Sequence, residues 1–280
     1  MNGTLFVVAT PIGNLADLSA RAAEVLAQVD VIAAEDTRHT GRLLSHLMLR
    51  KPLFALHDHN ESEAAESLLD RLQNGESVAL VSDAGTPLVS DPGYRLVAGA
   101  HDRGITVSPI PGPSALVAAM SAAGLPSDRF SFEGFLPHKA GARRQALAAL
   151  GAEPRTMVFY ESRHRIADSL ADMADTFGAD RRACVAREIT KLHEQVLRAS
   201  LGGLVDALRD GEIDERGEFV VIVEGAPEVA SGNVDTDRLL RALLQRLPAK
   251  EAAKLAADVT GERRNALYAR ILELTRDAQT

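Results

Sequence analysis

The sequence contains no tryptophan and a single cysteine, Cys184. One cysteine cannot form an intramolecular disulfide and leaves no cysteine-based zinc site, so a reducing compartment is expected. No stretch approaches the roughly 20 apolar residues of a membrane helix. The apolar run Leu5–Ala9 follows no basic segment and is too short for a signal peptide, so a cytoplasmic protein is expected. Asn2-Gly3-Thr4 and Asn60-Glu61-Ser62 match the glycosylation pattern, which carries no weight without secretion. An excess of positive charge is missing too: Lys and Arg number 31 against 39 Asp and Glu, a net charge of −8. That balance argues against a simple electrostatic nucleic-acid coat. No G-x-G-x-x-G follows the first apolar run, and neither G-x-x-x-x-G-K-[ST] nor H-E-x-x-H occurs, which excludes the usual dinucleotide, P-loop and zincin signatures. No internal repeat is evident.

What is present is ordinary for a globular chain: 280 residues, 46% apolar and 25% charged, enough for about two domains. Short β-branched runs at Leu5–Ala9, Val31–Ala34, Leu53–Leu56, Val78–Val81 and Ile105–Ile110 alternate with amphipathic stretches such as Leu18–Val29 and Ser62–Gln73. This is the rhythm of a parallel sheet covered by helices. Pro111-Gly112-Pro113-Ser114 punctuates the chain, and a small-residue helix is predicted over Ser114–Ala123. A second α/β unit follows, with strands expected at Arg129–Phe132, Thr156–Glu161, Ala183–Arg187, Gln195–Ala199 and Phe219–Glu224. Its helices are expected over Ala142–Leu150, Ile166–Phe177 and Leu201–Arg209. After a polar linker at Ser231–Asp237 the remainder reads as helix over Thr236–Arg246, Ala249–Asp258 and Glu262–Leu274. The break at Thr260-Gly261 permits either a helix-turn-helix or a plain helical hairpin. The expected division is an N-terminal α/β domain at 1–113, a C-terminal α/β domain at 114–228 and a helical tail at 235–280.

The loops leaving the predicted strands are rich in Gly, Pro, Asp, Ser and Thr, and they lie where open α/β sheets bind ligands. Ala9–Leu15 leaves the first strand. Val81–Tyr94 is a long loop after a buried strand, in which Gly85 and Gly93 allow close backbone approach and Asp83 and Asp91 can accept bonds from hydroxyls or an amine. Pro109–Ala115 runs from a strand into a helix, whose exposed N–H groups can hold a polar ligand edge. Turn formation alone would also produce such segments. Ala33–Thr40 and Leu56–Glu61 bring charge to two further strand ends. His57-Asp58-His59 could ligate a metal, but a base or substrate-binding role suits it better, and Asn60 could simply cap the next helix. Between Pro137 and Arg165 the basic residues Lys139, Arg143, Arg144, Arg155, Arg163 and Arg165 face only Glu153 and Glu161.

Taken in order, Thr10–Leu15, Ala34–Arg38, Leu56–Glu61, Ser82–Gly93, Pro109–Ala115 and Glu133-Gly134-Phe135-Leu136-Pro137 form a series. It continues with Phe159-Tyr160-Glu161-Ser162, Ala186–Lys191 and Gly217–Gly225. The series resembles the bacterial ribosomal RNA small-subunit methyltransferase I family, the 16S rRNA (cytidine-2′-O)-methyltransferases, within the tetrapyrrole-methylase superfamily of class III methyltransferases. The resemblance spans essentially the whole chain. It implies a tetrapyrrole-methylase-like α/β fold with S-adenosylmethionine in the cleft between two α/β domains, a homodimer, and 16S rRNA, within the small ribosomal subunit, as partner rather than DNA or a membrane. Cofactor-facing positions would fall at Pro11, Asp83, Gly85, Thr86, Ser114, Ala115, Tyr160 and Arg187. The Ser82–Gly93 loop stands where porphyrin-modifying relatives carry a glycine-aspartate-proline pattern, which favours RNA over a tetrapyrrole. The ribose hydroxyl is a poor nucleophile, so a base is expected from the pool Asp36, His57, Asp58 and Glu61, and no metal is expected. Arg38, Lys139, Arg143 and Arg144 are the expected phosphate contacts. The alternatives are a precorrin-type C-methyltransferase of the same fold, or a nucleotide-sensing regulator with a DNA-binding tail. The latter needs a basic recognition helix, whereas Glu262–Leu274 mixes Arg263, Arg264 and Arg270 with Glu262 and Glu273.

Overall fold

The computed structural model describes residues 2–227 and 236–277. Residues 231–235 of the expected linker lie outside this range; its last two residues open a helix. The chain forms two compact units, Met1–Gly225 and Ala226–Thr280.

The first unit holds two five-stranded sheets. One contains β1 (Thr4–Val8), β2 (Val31–Ala34), β3 (Leu53–Ala55), β4 (Val78–Val81) and β5 (Thr106–Ile110). All are parallel, in the order β3-β2-β4-β1-β5. β2 and β4 are buried on both faces, which is why they read as unbroken apolar runs. Successive residues serve opposite layers: Val31 and Ala33 pack with α3 (Glu61–Gln73) and α4 (Tyr94–Asp102), while Ile32 and Ala34 pack with α1 (Ala20–Gln28) and α2 (Thr37–His46). The chain leaves β1 towards β2 and leaves its neighbour β4 in the opposite direction, towards β5. That reversal opens a crevice at the carboxyl ends of β1 and β4. α2 and α4 were not expected from the sequence. Both are only nine or ten residues long and carry a glycine inside (Gly41, Gly99), which weakens the local preference for helix.

The second sheet contains β6 (Phe130–Phe135), β7 (Thr156–Ser162), β8 (Arg182–Arg187), β9 (Gln195–Ser200) and β10 (Glu218–Val223). Its order is β6-β7-β10-β8-β9, with only β6 and β7 parallel. α5 (Ala115–Ala123) covers one face against Val158, Cys184 and Val220. On the other face α6 (Ala140–Ala149), α7 (Ile166–Phe177) and α8 (Leu201–Arg209) pack against Met157, Phe159 and Val221. Burial pushes the Cys184 thiol up to about 11.

The second unit is three helices, α9 (Thr236–Leu244), α10 (Ala249–Thr260) and α11 (Arg264–Asp277), around Leu240, Ala253, Ala256, Leu267 and Ile271. Gly261, in the left-handed conformation, ends α10. Among the described residues no helix is long and apolar enough to cross a membrane.

Candidate active site

The loops leaving β1 and β4 are tied together before they meet anything else. Thr10 and Gly85 exchange backbone hydrogen bonds of 2.8 and 3.1 Å, and the buried Thr10 hydroxyl donates to the Ser82 carbonyl at 3.2 Å. Gly85 has φ +87°, and a Cβ there would sit 3.2 Å from Ile12, so the turn requires glycine. The Thr86 hydroxyl donates to the Pro113 carbonyl at 3.0 Å, which brings in the loop after β5. From the second sheet, the Tyr160 hydroxyl accepts from the Leu116 amide at 3.2 Å. These contacts frame a cleft of about 630 Å³, within the usual range of small-molecule sites. Asp83, Gly85, Thr86, Ser114, Ala115 and Tyr160 all line it. Pro11 does not; its neighbour Ile12 takes that place.

Arg187 lies elsewhere. Its guanidinium donates to the Arg216 and His193 carbonyls at 2.7 and 2.8 Å and faces a smaller cavity with Asp214. The residues that follow, Glu188, Ile189 and Lys191, reach the main cleft, where Lys191 pairs with Glu188 at 2.9 Å and with Glu218 at 2.8 Å. A cofactor-facing position was expected at Arg187; its side chain, bonded to the carbonyls of Arg216 and His193, fixes the chain beside the cleft instead.

Three carboxylates, Glu35, Asp83 and Asp91, share the cleft wall formed by the first sheet. The Asp36 amide donates to Asp83 Oδ1 at 3.0 Å, locking the ends of β2 and β4 together. Burial, followed by the charges of Asp91 and Asp83, pushes Glu35 up from its ordinary range. Burial pushes Asp91 up to about 6, against a hydrogen bond from Ser82 and with help from the charges of Asp83 and Asp58. Of the expected base pool, none lines this cleft. The side chain of Asp36 caps α2 and grips Arg38 at 3.1 and 2.7 Å, which holds its carboxyl well below the usual carboxylate range. Such a group is a poor base. Glu61 accepts from the Gly93 and Arg95 amides, both at 3.0 Å, and so caps the start of α4. Asp58 is exposed and acts on Glu35 and Asp91 through its charge. His57 keeps a buried Nδ1 without a partner, its ring edge-on to His59 at 6.1 Å. Asn60 stands at the N-cap of α3, yet its side chain reaches back to the His57 amide at 2.8 Å rather than into the helix. Among the described residues no group of three or more His, Cys, Asp or Glu is arranged to hold a metal ion.

Glu61→Ala is therefore expected to lower stability by about 1 kcal/mol, the cost of a lost cap, with kcat changed less than threefold. Urea unfolding beside single-turnover kinetics checks both; a hundredfold loss of kcat at unchanged stability would return Glu61 to the chemistry.

The sequence names Asp91 and Glu35 inside motifs but gives no reason to prefer them. The available signal for Asp91 was its place in a long Gly- and Pro-rich loop after a fully buried strand.

The basic stretch divides sharply. Arg143 is buried, its side chain 4% exposed, with Nε 2.6 Å from Asp172 on α7. It joins α6 to α7 and is corrected from a phosphate contact to an internal one. Arg144 is exposed and lies 3.6 Å from Asp172; Arg155 pairs with Glu153 and Arg165 with the buried Glu161, both at 2.7 Å. Lys139 is exposed ahead of α6. Arg38 is 86% exposed although held by Asp36. Arg163 and His164, at the end of β7, reach the cleft.

A doubly wound parallel sheet facing a mixed sheet across such a cleft defines a class. Residues 4–205 match the family described as Tetrapyrrole (Corrin/Porphyrin) Methylases, and residues 230–275 match the RsmI C-terminal HTH domain. The uroporphyrin-III C-methyltransferase of Thermus thermophilus, solved with S-adenosyl homocysteine, superposes with a TM-score of 0.54 at 18% identity, covering 79% of this chain and 97% of that one. That likeness establishes the fold. Much nearer are two proteins named Ribosomal RNA small subunit methyltransferase I. The Xylella fastidiosa (strain Temecula1) protein is 55% identical, over 95% of this chain and 98% of its own. The Escherichia coli O157:H7 protein is 54% identical, over 97% and 95%. The chain belongs to the ribosomal RNA small subunit methyltransferase I family of the tetrapyrrole methylases.

Proposed function

We propose that the chain transfers a methyl group from S-adenosylmethionine to the ribose 2′-hydroxyl of a cytidine in the decoding region of 16S rRNA. The observation that carries this reading is the near-full-length likeness to small-subunit rRNA methyltransferases, tail included. A tetrapyrrole substrate has only the distant fold likeness behind it. The same proposal includes action on rRNA in the small ribosomal subunit, a homodimer, a cytoplasmic location and a division at 1–113, 114–228 and 235–280.

The cleft suits the cofactor's chemistry. Glu35, Asp83 and Asp91 place negative charge where a ligand carrying sulfonium and ammonium groups needs it, and Ile12, Ala115 and Val220 supply apolar wall for a base. Asp83, Gly85, Thr86, Ser114, Ala115 and Tyr160 would hold it. When bound, it supplies an electrophilic methyl group on a good, neutral leaving group. The chain must then align the ribose oxygen, which can contribute about 7–11 kcal/mol, and remove its proton. We assign the proton to a carboxylate oxygen of Asp91, a cleft residue poised near neutrality. Burial and the charges of Asp83 and Asp58 keep that carboxylate basic. Arg38, Lys139 and Arg144, all exposed, are assigned as phosphate contacts.

Deleting the gene and mapping ribose methylation of small-subunit RNA by mass spectrometry tests the assignment. Loss of one 2′-O-methylcytidine, restored by the wild-type gene, is expected; an unchanged methylation map would overturn it.

A further inference from the structure

β6 departs from regular strand geometry at one point, and the departure decides where Phe135 stands. Along a regular strand, residues three apart lie on opposite faces. Between Phe132 and Gly134 the pairing with β7 slips by one residue: Phe132 lies opposite Val158, but Gly134 lies opposite Phe159 and Phe135 opposite Tyr160. Gly134 sits at φ +64°, a conformation that side-chain-bearing residues rarely adopt. The bulge turns Phe135 to the side of Phe132, so both rings rest edge-on against Tyr160, at 4.9 and 5.6 Å between centroids.

Phe135 is nevertheless 53% exposed, and it lines the cleft. The ring is fixed from behind. The Arg165 guanidinium lies 5.9 Å from its centroid, and Arg165 is itself pinned by Glu161 at 2.7 Å and by the Leu136 carbonyl at 2.8 Å. An aromatic side chain rigidly braced yet half open to a cleft is built to receive a flat ligand, because its ordering cost is already met. Lining the same cleft is Arg163, exposed and making no ion pair among the described residues, while Arg143, Arg144, Arg155 and Arg165 are all paired. The opposite wall is close: a Cβ on Gly134 would come within 3.5 Å of the Ser90 hydroxyl, and Ser90 precedes Asp91.

We propose that Phe135 is the stacking platform for the base of the nucleotide being methylated, and that Arg163 holds a phosphate of that nucleotide. The inference rests on the RNA reading above and adds the substrate's binding site to it. RNA is read through bases splayed out onto aromatic rings, and a cation that binds the phosphate fixes the nucleotide from its other end. Asp91, which follows Ser90 on the facing wall, lines the same cleft and would meet the ribose of a base stacked on Phe135. The cofactor's adenine is the other flat group that could use the ring; the ring's exposure and an unpaired cation on the same cleft favour the substrate.

The test uses the full-length protein and small ribosomal subunits lacking the modification. Phe135→Ala and Phe135→Leu are expected to lower kcat/KM for RNA by about 10- to 100-fold, the size of one base–aromatic stack, and Phe135→Tyr to restore most of it. Calorimetric affinity for S-adenosylhomocysteine should stay within twofold in all three, and so should the unfolding midpoint, because the ring is half exposed. Arg163→Gln should raise KM and reduce the slope of log KM against log salt by about one. Leucine serving as well as phenylalanine, or S-adenosylhomocysteine affinity falling in step with kcat/KM, would overturn the platform while leaving the methyltransferase reading standing. A wild-type protein that bound S-adenosylhomocysteine but methylated no RNA would sink that reading, and the platform with it.

Discussion

Asp91→Asn is expected to remove most of the turnover and to make the protein more stable. The loss in kcat should be about 10²–10⁴-fold, the usual contribution of a positioned base. In the wild type, kcat/KM should fall as pH drops through about 6, where Asp91 takes up its proton and can no longer accept one. The variant should lack that limb. The stability gain has the opposite origin. The folded-state affinity of Asp91 for a proton is raised from 3.8 to about 6, so folding favours the neutral form. Its stabilising contribution is complete below the unfolded value and is lost as pH rises through about 6. Above that, the wild type carries a charge that burial and neighbouring carboxylates oppose, and asparagine does not. A shift of about two units caps the gain near 3 kcal/mol; partial exposure to water reduces it to about 1 kcal/mol. Urea unfolding at pH 7.5 and pH 4 should show the gain at the first and not at the second. A variant keeping more than a tenth of wild-type kcat with its acid limb intact would remove Asp91 from the chemistry.

Arg143→Leu should be the most damaging change in the basic stretch, through folding rather than RNA. It leaves the Asp172 carboxylate, 10% exposed, with Arg144 at 3.6 Å as its remaining cation. Removing one partner of a buried ion pair costs about 3–5 kcal/mol, a large part of the roughly 5–15 kcal/mol that holds a domain together. The double variant Arg143→Leu plus Asp172→Leu should recover much of the loss, since an apolar pair of similar volume suits the α6–α7 contact. Arg144→Ala should move the unfolding midpoint little. If Arg143→Leu left the midpoint in place while weakening RNA binding, the exposed role expected from sequence would be right after all.

That contrast shows where sequence reading stops. β2, β4 and α7 were legible to the residue because periodicity and double-sided burial leave strong marks. The loops of the cleft were legible too, as glycine-, proline- and aspartate-rich segments at the strand ends where open α/β sheets bind ligands. Charge was not. Arg143 and Arg163 look alike in sequence, and only the packing of α6 on α7 buries one and leaves the other at the cleft. The carboxylates behave likewise: Asp36 and Glu61 were offered as bases and turn out to cap helices, while Glu35, one residue before Asp36, faces the cleft. Which way a strand-end side chain turns depends on backbone geometry that no local pattern records. Phe135 was not legible either: the expected strand stopped at Phe132, and Gly134, the glycine of the bulge, lay beyond it.

The placement of β10 also bears on how the chain is made. The first sheet has all its strands once residue 110 has been synthesised. The second sheet has to wait. β6–β7 and β8–β9 emerge as two separate ribbons, and the strand that hydrogen-bonds them into one sheet, Glu218–Val223, is the last to appear. A nascent chain therefore carries a finished N-terminal half and two open strand edges, on β7 and β8, until almost the whole first unit has been translated. Such edges are where unwanted pairing between growing chains begins.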